Sequence, residues 1–197
     1  MSVVLYGGAF DPVHAGHVFI VREALRLLAP ARLVLIPTGN PNPDFDKHLS
    51  ASDADRLAML ALAFAGTAGV EVSDIELARK PAPSFFADTL DALRPTLGPA
   101  PFVLLLGQDQ LMSFPRWERY QEILRRTDLC YVPRAGLDAA SLPAVRATRL
   151  FDVNPFDSLS STLVRSRVRQ GLFIDGLVPT GVAEYIHTHG LYRASVS

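Results

Sequence analysis

A chain of 197 residues, 49% hydrophobic and with a formal net charge of −1, is long enough to bury a core unaided and carries no basic field of the kind that binds nucleic acid or an acidic membrane. Its one cysteine, Cys130, excludes an intramolecular disulfide, which suits a reducing compartment. The N-terminus has no basic lead-in and too short an apolar run for a signal peptide, and the longest other apolar stretch, Leu57 to Ala65, falls well short of the roughly 20 residues of a membrane span, so a soluble cytoplasmic protein is expected.

Val3 to Tyr6 is predicted as a buried strand. His14 to Leu28 follows as a helix, from the spacing of Val18, Val21, Leu25 and Leu28. Leu33 to Pro37 reads as the next strand, and a polar, proline-rich loop runs from Thr38 to about Ser50. Ser52 stands where it can cap a helix rich in Leu, Met, Ala and Phe. Val70 to Asp74 is a third predicted strand, and Ser84 reads as the N-cap of a helix through Leu93. Phe102 to Leu106 is uninterrupted apolar sequence ending in Gly107, the composition of a central parallel strand. A helix around Trp117 to Arg125 leads to a strand at Leu129 to Val132, with a weaker strand near Leu150 to Val153 and an irregular excursion from Pro133 to Pro143 between them. Two helices close the pattern, Ser161 to Gln170 and Pro179 to His189, each stopped by a glycine, Gly171 and Gly190. Strand and helix alternate almost throughout. The expected fold is therefore α/β, a Rossmann-like doubly wound parallel sheet with helices on both faces. It is expected to form one domain over residues 1–197, with a small C-terminal helical part from about residue 155.

The run Gly7-Gly8-Ala9-Phe10-Asp11-Pro12-Val13-His14-Ala15-Gly16-His17 joins the first strand to the first helix. In a parallel sheet the carboxyl ends of the strands near the switch point form the ligand crevice, and glycines there let backbone N–H groups approach a phosphate. His14 and His17, three apart at a helix start, face the same side and can donate to phosphate oxygens beside the positive end of the helix dipole. Two other readings compete: a plain glycine turn with incidental histidines, and a metal site made by the His pair with Asp11. No further metal-ligand spacing accompanies the second, and glycines, helix start and imidazoles converge on one anion site. A second anion site is expected at Ser160-Ser161-Thr162-Leu163-Val164-Arg165, where hydroxyls and free N–H groups open a helix and Arg165 offers a planar fork. Arg167 and Arg169 fit a solvated basic face.

The first of these runs resembles the nucleotidyltransferase signature, a glycine-rich turn with Phe-Asp-Pro before His-x-Gly-His, and the second resembles that superfamily's Ser-Ser-Thr-x-x-Arg segment. Further matches narrow the resemblance to the nicotinate-nucleotide adenylyltransferase family over nearly the full length. These are Ser73-Asp74-Ile75-Glu76 with Arg79, Ser84 to Asp88-Thr89-Leu90, Gly107-Gln108-Asp109, Trp117, Arg134, and the tail with Val178-Pro179, Tyr185-Ile186 and Gly190-Leu191-Tyr192. The resemblance implies transfer of AMP from ATP to nicotinate mononucleotide, with Mg²⁺ accompanying ATP as the cofactor and no protein metal site. It implies that His14, His17 and Arg165 are catalytic, that Gly7, Gly8, Ala9, Phe10, Gly107, Asp109, Ser161 and Thr162 join them in binding ATP, and that Lys47, Phe85, Phe86, Trp117 and Arg134 bind the mononucleotide. The small molecules are the expected partners, with no nucleic acid and no membrane; a homo-oligomer stays open.

From the residues themselves, Trp117 suits either stacking on a pyridine ring or anchoring a half-buried helix. Asp109 suits either ribose hydroxyls or a helix N-cap. The chain departs from the family where Ser-Tyr-Thr becomes Ser84-Phe85-Phe86 and where Pro-Pro-His-Lys becomes the run from Asn40 to His48. A nicotinamide mononucleotide adenylyltransferase and a non-catalytic nucleotide sensor are the competing functions.

Overall fold

The computed structural model describes residues 1–43, 48–134 and 136–194. Six strands, β1 (Val3–Gly8), β2 (Arg32–Pro37), β3 (Val70–Val72), β4 (Phe102–Gly107), β5 (Thr127–Val132) and β6 (Ala147–Arg149), form one sheet in the order β3-β2-β1-β4-β5-β6. Every pairing in it is parallel. This is the doubly wound order, with its switch point between β1 and β4.

Alternation along β1 divides the core. Val4 and Tyr6 face α1 (Ala15–Leu28) and α2 (Asp53–Ala63), whose buried Val21, Ala24, Met59 and Leu60 form one cluster with them. Val3 and Leu5 face α3 (Phe86–Leu97) and α5 (Tyr120–Arg126), meeting Leu90, Leu93 and Ile123. Two further helices, α6 (Ser161–Arg169) and α7 (Thr180–Thr188), return to the first face, where Val164, Val182 and Ile186 enter the cluster around β1. Tyr185 Oη donates to Asp55 Oδ1 at 3.0 Å, tying α7 to α2. No helix among the described residues is long and apolar enough to cross a membrane.

Most predicted elements occupy their expected places. Ser52 caps α2, its Oγ accepting from Asp55 N at 3.1 Å. Four expectations need correction. Ser84 does not cap α3, which starts one residue after extended Phe85 and runs on to Leu97 through Pro95; Ser84 Oγ accepts from Gly39 N and Asn40 N instead. The helix predicted over Trp117 to Arg125 starts late, as α5 at Tyr120, because Trp117 is extended and Arg119 left-handed; α4 (Gln108–Ser113) and a 3₁₀ turn (Phe114–Arg116) precede it. The last strand pairs at Ala147–Arg149 rather than at Leu150 to Val153, because Leu150 N makes the closing bond to Tyr131 O and the chain then leaves the sheet edge. The third strand ends at Val72, two residues early.

Candidate active site

The carboxyl ends of β1, β2, β4 and β5 open onto two adjoining cavities. The first is lined by Gly7, Gly8, Ala9, His14, His17, Gly107, Asp109, Arg134, Ser161, Thr162 and Arg165. The second is lined by Phe85, Phe86, Trp117, Ser84, Glu76 and Glu118. They share Gly7, Gly8, Thr38, Pro41, Asp109 and Gln110, so they meet over the turn that follows β1.

The histidines are placed by the start of α1. His14 is the N-cap, in extended conformation, and His17 is three residues on. His14 N donates to His17 Nδ1 at 3.2 Å. Because that nitrogen accepts, the His17 proton sits on Nε2, leaving a fixed N–H donor for a ligand. The two rings lie 3.7 Å apart at 31°. Gly16 makes this possible, since a Cβ there would stand 3.1 Å from the His14 ring and 3.2 Å from Phe156 Cβ. Among the described residues, His14 Nδ1 is a buried polar atom without a partner, which a ligand oxygen would satisfy.

Both imidazoles are held neutral. Burial pushes His14 from 6.5 down to about 4, with the Arg134 charge adding to the effect. Burial likewise pushes His17 well below 6.5, reinforced by His14 and then Arg134. The unfolded chain therefore binds more protons than the folded one between these values. This stability is full above about pH 6.5 and is lost as pH falls toward 4, roughly 3 kcal/mol for His14 alone. Urea unfolding at pH 7.5 and 4.5 should show this drop, and His14→Asn, which keeps a good N-cap without a titrating ring, should make it shallower. Equal drops in both proteins would refute the assignment.

The positive contribution comes from elsewhere: the N-termini of α1 and α6, Arg134 and Arg165. Ser160 caps α6 through Leu163 N at 3.1 Å. Ser161 Oγ donates to Pro12 O at 2.9 Å, and Arg165 donates to Asp11 O at 2.7 Å and to Thr162 Oγ1 at 3.2 Å. These bonds lock the second anion segment onto the first. The Asp11 carboxylate itself accepts from Ser50 N, Ala51 N and Tyr192 Oη at 2.6, 3.0 and 2.8 Å. It is thus a structural hub, and the reading of Asp11 as a metal ligand with the histidines is withdrawn. Among the described residues no three His, Cys, Asp or Glu side chains gather as a metal-ligand set.

Two predicted site residues fall elsewhere. Phe10 lines neither cavity: with φ of 49° its side chain turns into the core, edge-on to Tyr6 and His17. Arg134 lines the first cavity rather than the second, because it follows β5 on the His14 side, where its guanidinium lies 3.8 Å from Asp109 Oδ2. Lys47 lies outside the described residues. Asp109 is not an N-cap: Gly107 holds that place, its N–H donating to Gln110 Oε1 at 3.0 Å.

The second cavity is walled by aromatic rings, with Trp117 5.3 Å from Phe114 and 6.1 Å from Phe86. The first N–H groups of α3 open beside Phe85 and Phe86, where a helix start favours an anion. Cys130 lies away from both cavities, buried in β5, where burial pushes its thiol up to about 11.

Two supporting residues were not read from the sequence. Arg56 is wholly buried and donates to Ala9 O at 2.9 Å and to Asp53 at 2.7 Å, bracing the glycine turn from beneath. Its signal was a charge in register with the core positions Met59 and Leu60. Tyr192 is the other: it stands in the family-like tail Gly190-Leu191-Tyr192, but nothing local marks its bond to Asp11.

The cytidylyltransferase-like family model matches residues 5–167. A "probable nicotinate-nucleotide adenylyltransferase" of Dehalococcoides mccartyi is 39% identical, covering 96% of this chain and 96% of its own. A relative of the same name in Laribacter hongkongensis is 36% identical, covering 98% of this chain and 96% of its own. The nicotinic acid mononucleotide adenylyltransferase of Plasmodium falciparum, solved in complex with NaAD, shares the fold at a TM-score of 0.78 and 18% identity, over 97% of each chain. With the family model spanning most of the sequence and these identities holding over nearly all of it, the chain belongs to the nicotinate-nucleotide adenylyltransferases, within the cytidylyltransferase-like family.

Proposed function

We propose that this chain transfers the adenylyl group of ATP to the phosphate of nicotinate mononucleotide, giving nicotinate adenine dinucleotide and pyrophosphate. One observation carries the reading: an anion-binding cavity and an aromatic cavity meet over the Gly7-Gly8 turn. ATP occupies the first, its phosphates against the His14 and His17 imidazoles, the start of α6 and Arg165. The mononucleotide occupies the second, its cationic pyridinium ring on the Trp117 face and its carboxylate at the start of α3. The two phosphates then face each other at the shared wall.

The attacking phosphate oxygen is ionised at neutral pH, so no general base is needed. It displaces pyrophosphate from the α-phosphorus, and the P–O bond it forms replaces the one that breaks. The protein aligns the two groups and stabilises charge that builds on the phosphate oxygens. The His17 Nε2–H and the Arg165 guanidinium are the donors aimed there. Mg²⁺ would accompany ATP as part of the substrate and would supply neutralising charge to the phosphates held by His14, His17 and Arg165. Such an ion needs no protein cage, in keeping with an Asp11 carboxylate already taken by three donors.

The helix start at α3 favours the acid over the amide by up to about 2 kcal/mol. Pyrophosphate release with ATP and either mononucleotide should therefore show a preference of about tenfold or more in kcat/KM for the acid. Equal use of both would assign dual specificity, and no release with either would return the chain to the sensor reading.

A further inference from the structure

Trp117 belongs to the short segment between the 3₁₀ turn and α5, where its ring packs beside Phe114 and Phe86. Two residues on, Arg119 adopts the left-handed conformation, φ 54° and ψ 34°, which lacks the usual justification of a glycine. Its guanidinium donates to Asp88 Oδ1 at 2.7 Å, Asp91 Oδ2 at 3.3 Å, and both Glu122 oxygens at 2.8 and 2.9 Å. Asp88 lies in the first turn of α3, the turn whose Phe86 lines the aromatic cavity.

From there a polar chain continues behind the cavity. Arg79 meets Asp88 at 3.5 Å and donates to Thr89 Oγ1 at 3.2 Å. Thr89 donates to buried Glu76 at 2.9 Å. Burial raises the Glu76 carboxyl above the ordinary range, against the pull of Thr89, Ser84, the Gly39 backbone and Arg79. The chain thus runs from Arg119 to Glu76, which lines the cavity together with Trp117. Exposed single ion pairs contribute little, but an arginine fork shared among three carboxylates fixes geometry.

We propose that Arg119 is a positioning residue of the acceptor site, clasping the Trp117 segment onto the first turn of α3 so that the indole stands over the space for the acceptor ring. The clasp rests on the functional reading above for the identity of that ring. It acts on one substrate only, since none of its members lines the ATP cavity.

Arg119→Gly tests the clasp, because glycine keeps the left-handed turn without strain while removing the side chain that carries the guanidinium. Trp117 is the chain's single tryptophan, so its emission reports the segment directly. In ligand-free Arg119→Gly the emission should shift to longer wavelength. KM for nicotinate mononucleotide should rise about tenfold, while KM for ATP and kcat stay within twofold. Asp88→Asn should reproduce the effect, and the double variant should be little worse than either single one. Arg119→Lys, with one charge and no fork, should recover part of the loss. Unchanged emission, equal rises in both KM values, or additive effects of the two substitutions would each overturn the clasp. A wild-type protein without acceptor turnover would overturn the functional reading instead, and the emission shift would still decide the clasp.

Discussion

Replacing His17 by asparagine is expected to lower kcat by about 10²-fold or more while leaving the fold intact. The reason lies in the two ring nitrogens. Nδ1 accepts from His14 N and helps start α1, whereas Nε2 holds the proton that a phosphate oxygen would take as a hydrogen bond. The asparagine Oδ1 takes the place of Nδ1, so the helix start survives and only the donor is lost. Glutamine does the reverse. Its amide reaches toward the Nε2 position, so His17→Gln should retain more turnover yet lose about 1 kcal/mol of stability from the helix start. Because burial holds both imidazoles well below their ordinary values, wild-type kcat should be level between pH 6 and 8. A histidine that donates as a cation would instead give a fall across this interval. Pyrophosphate release and urea unfolding on the two variants separate these roles, and near-wild-type turnover in the asparagine variant would remove His17 from the mechanism.

Gly39→Ala should be the most damaging methyl group in the chain. A Cβ at that position would lie 2.1 Å from Glu76 O and 2.6 Å from Glu76 C. Both are backbone atoms, so no side-chain rotation relieves the clash. The loop after β2 must then move away from the turn at Glu76, taking with it Thr38 and Pro41, which line both cavities. It must also give up the bonds from Gly39 N and Asn40 N to Ser84 Oγ. Overpacking of this kind costs about 3 kcal/mol, equivalent to a fall of roughly 6–12 °C in Tm for a chain of this size. Steady-state kinetics should show KM for the mononucleotide rising severalfold at a temperature where the variant remains folded. An unchanged Tm would mean that the close approach of these two segments is wrong.

The alternating order of strands and helices was legible because it rests on local pattern, as do the glycine turn and the Ser-Ser-Thr helix start; the aromatic residues were picked out by family resemblance. Apolar period, caps and glycine turns are properties of a few neighbouring residues. What escaped was decided by distant partners. Ser84 has the chemistry of an N-cap, but two backbone N–H groups some 45 residues back compete for its hydroxyl and win. The six residues of α4 are too few to show a period, and Pro115 then confuses the pattern into Trp117. At the last strand, Leu150 and Phe151 mark where the chain packs, while the pairing residues Ala147–Arg149 are more polar, as an edge strand allows. Arg134 was picked out by resemblance, but which cavity it faces depends on the neighbour order of β4 and β5, which motifs do not encode. Tyr192 is the plainest case, since its partner Asp11 is 181 positions away.

That last bond also sets an order of events during biosynthesis. The aromatic cavity is lined by residues no later than Glu118, so its parts leave the ribosome early. The ATP side waits for Arg165, which reaches Asp11 O across 154 positions, and then for Tyr192, which secures the Asp11 carboxylate. A chain emerging from the ribosome should therefore complete the lining of its aromatic cavity before Arg165 and Tyr192 can tie down the turn after β1.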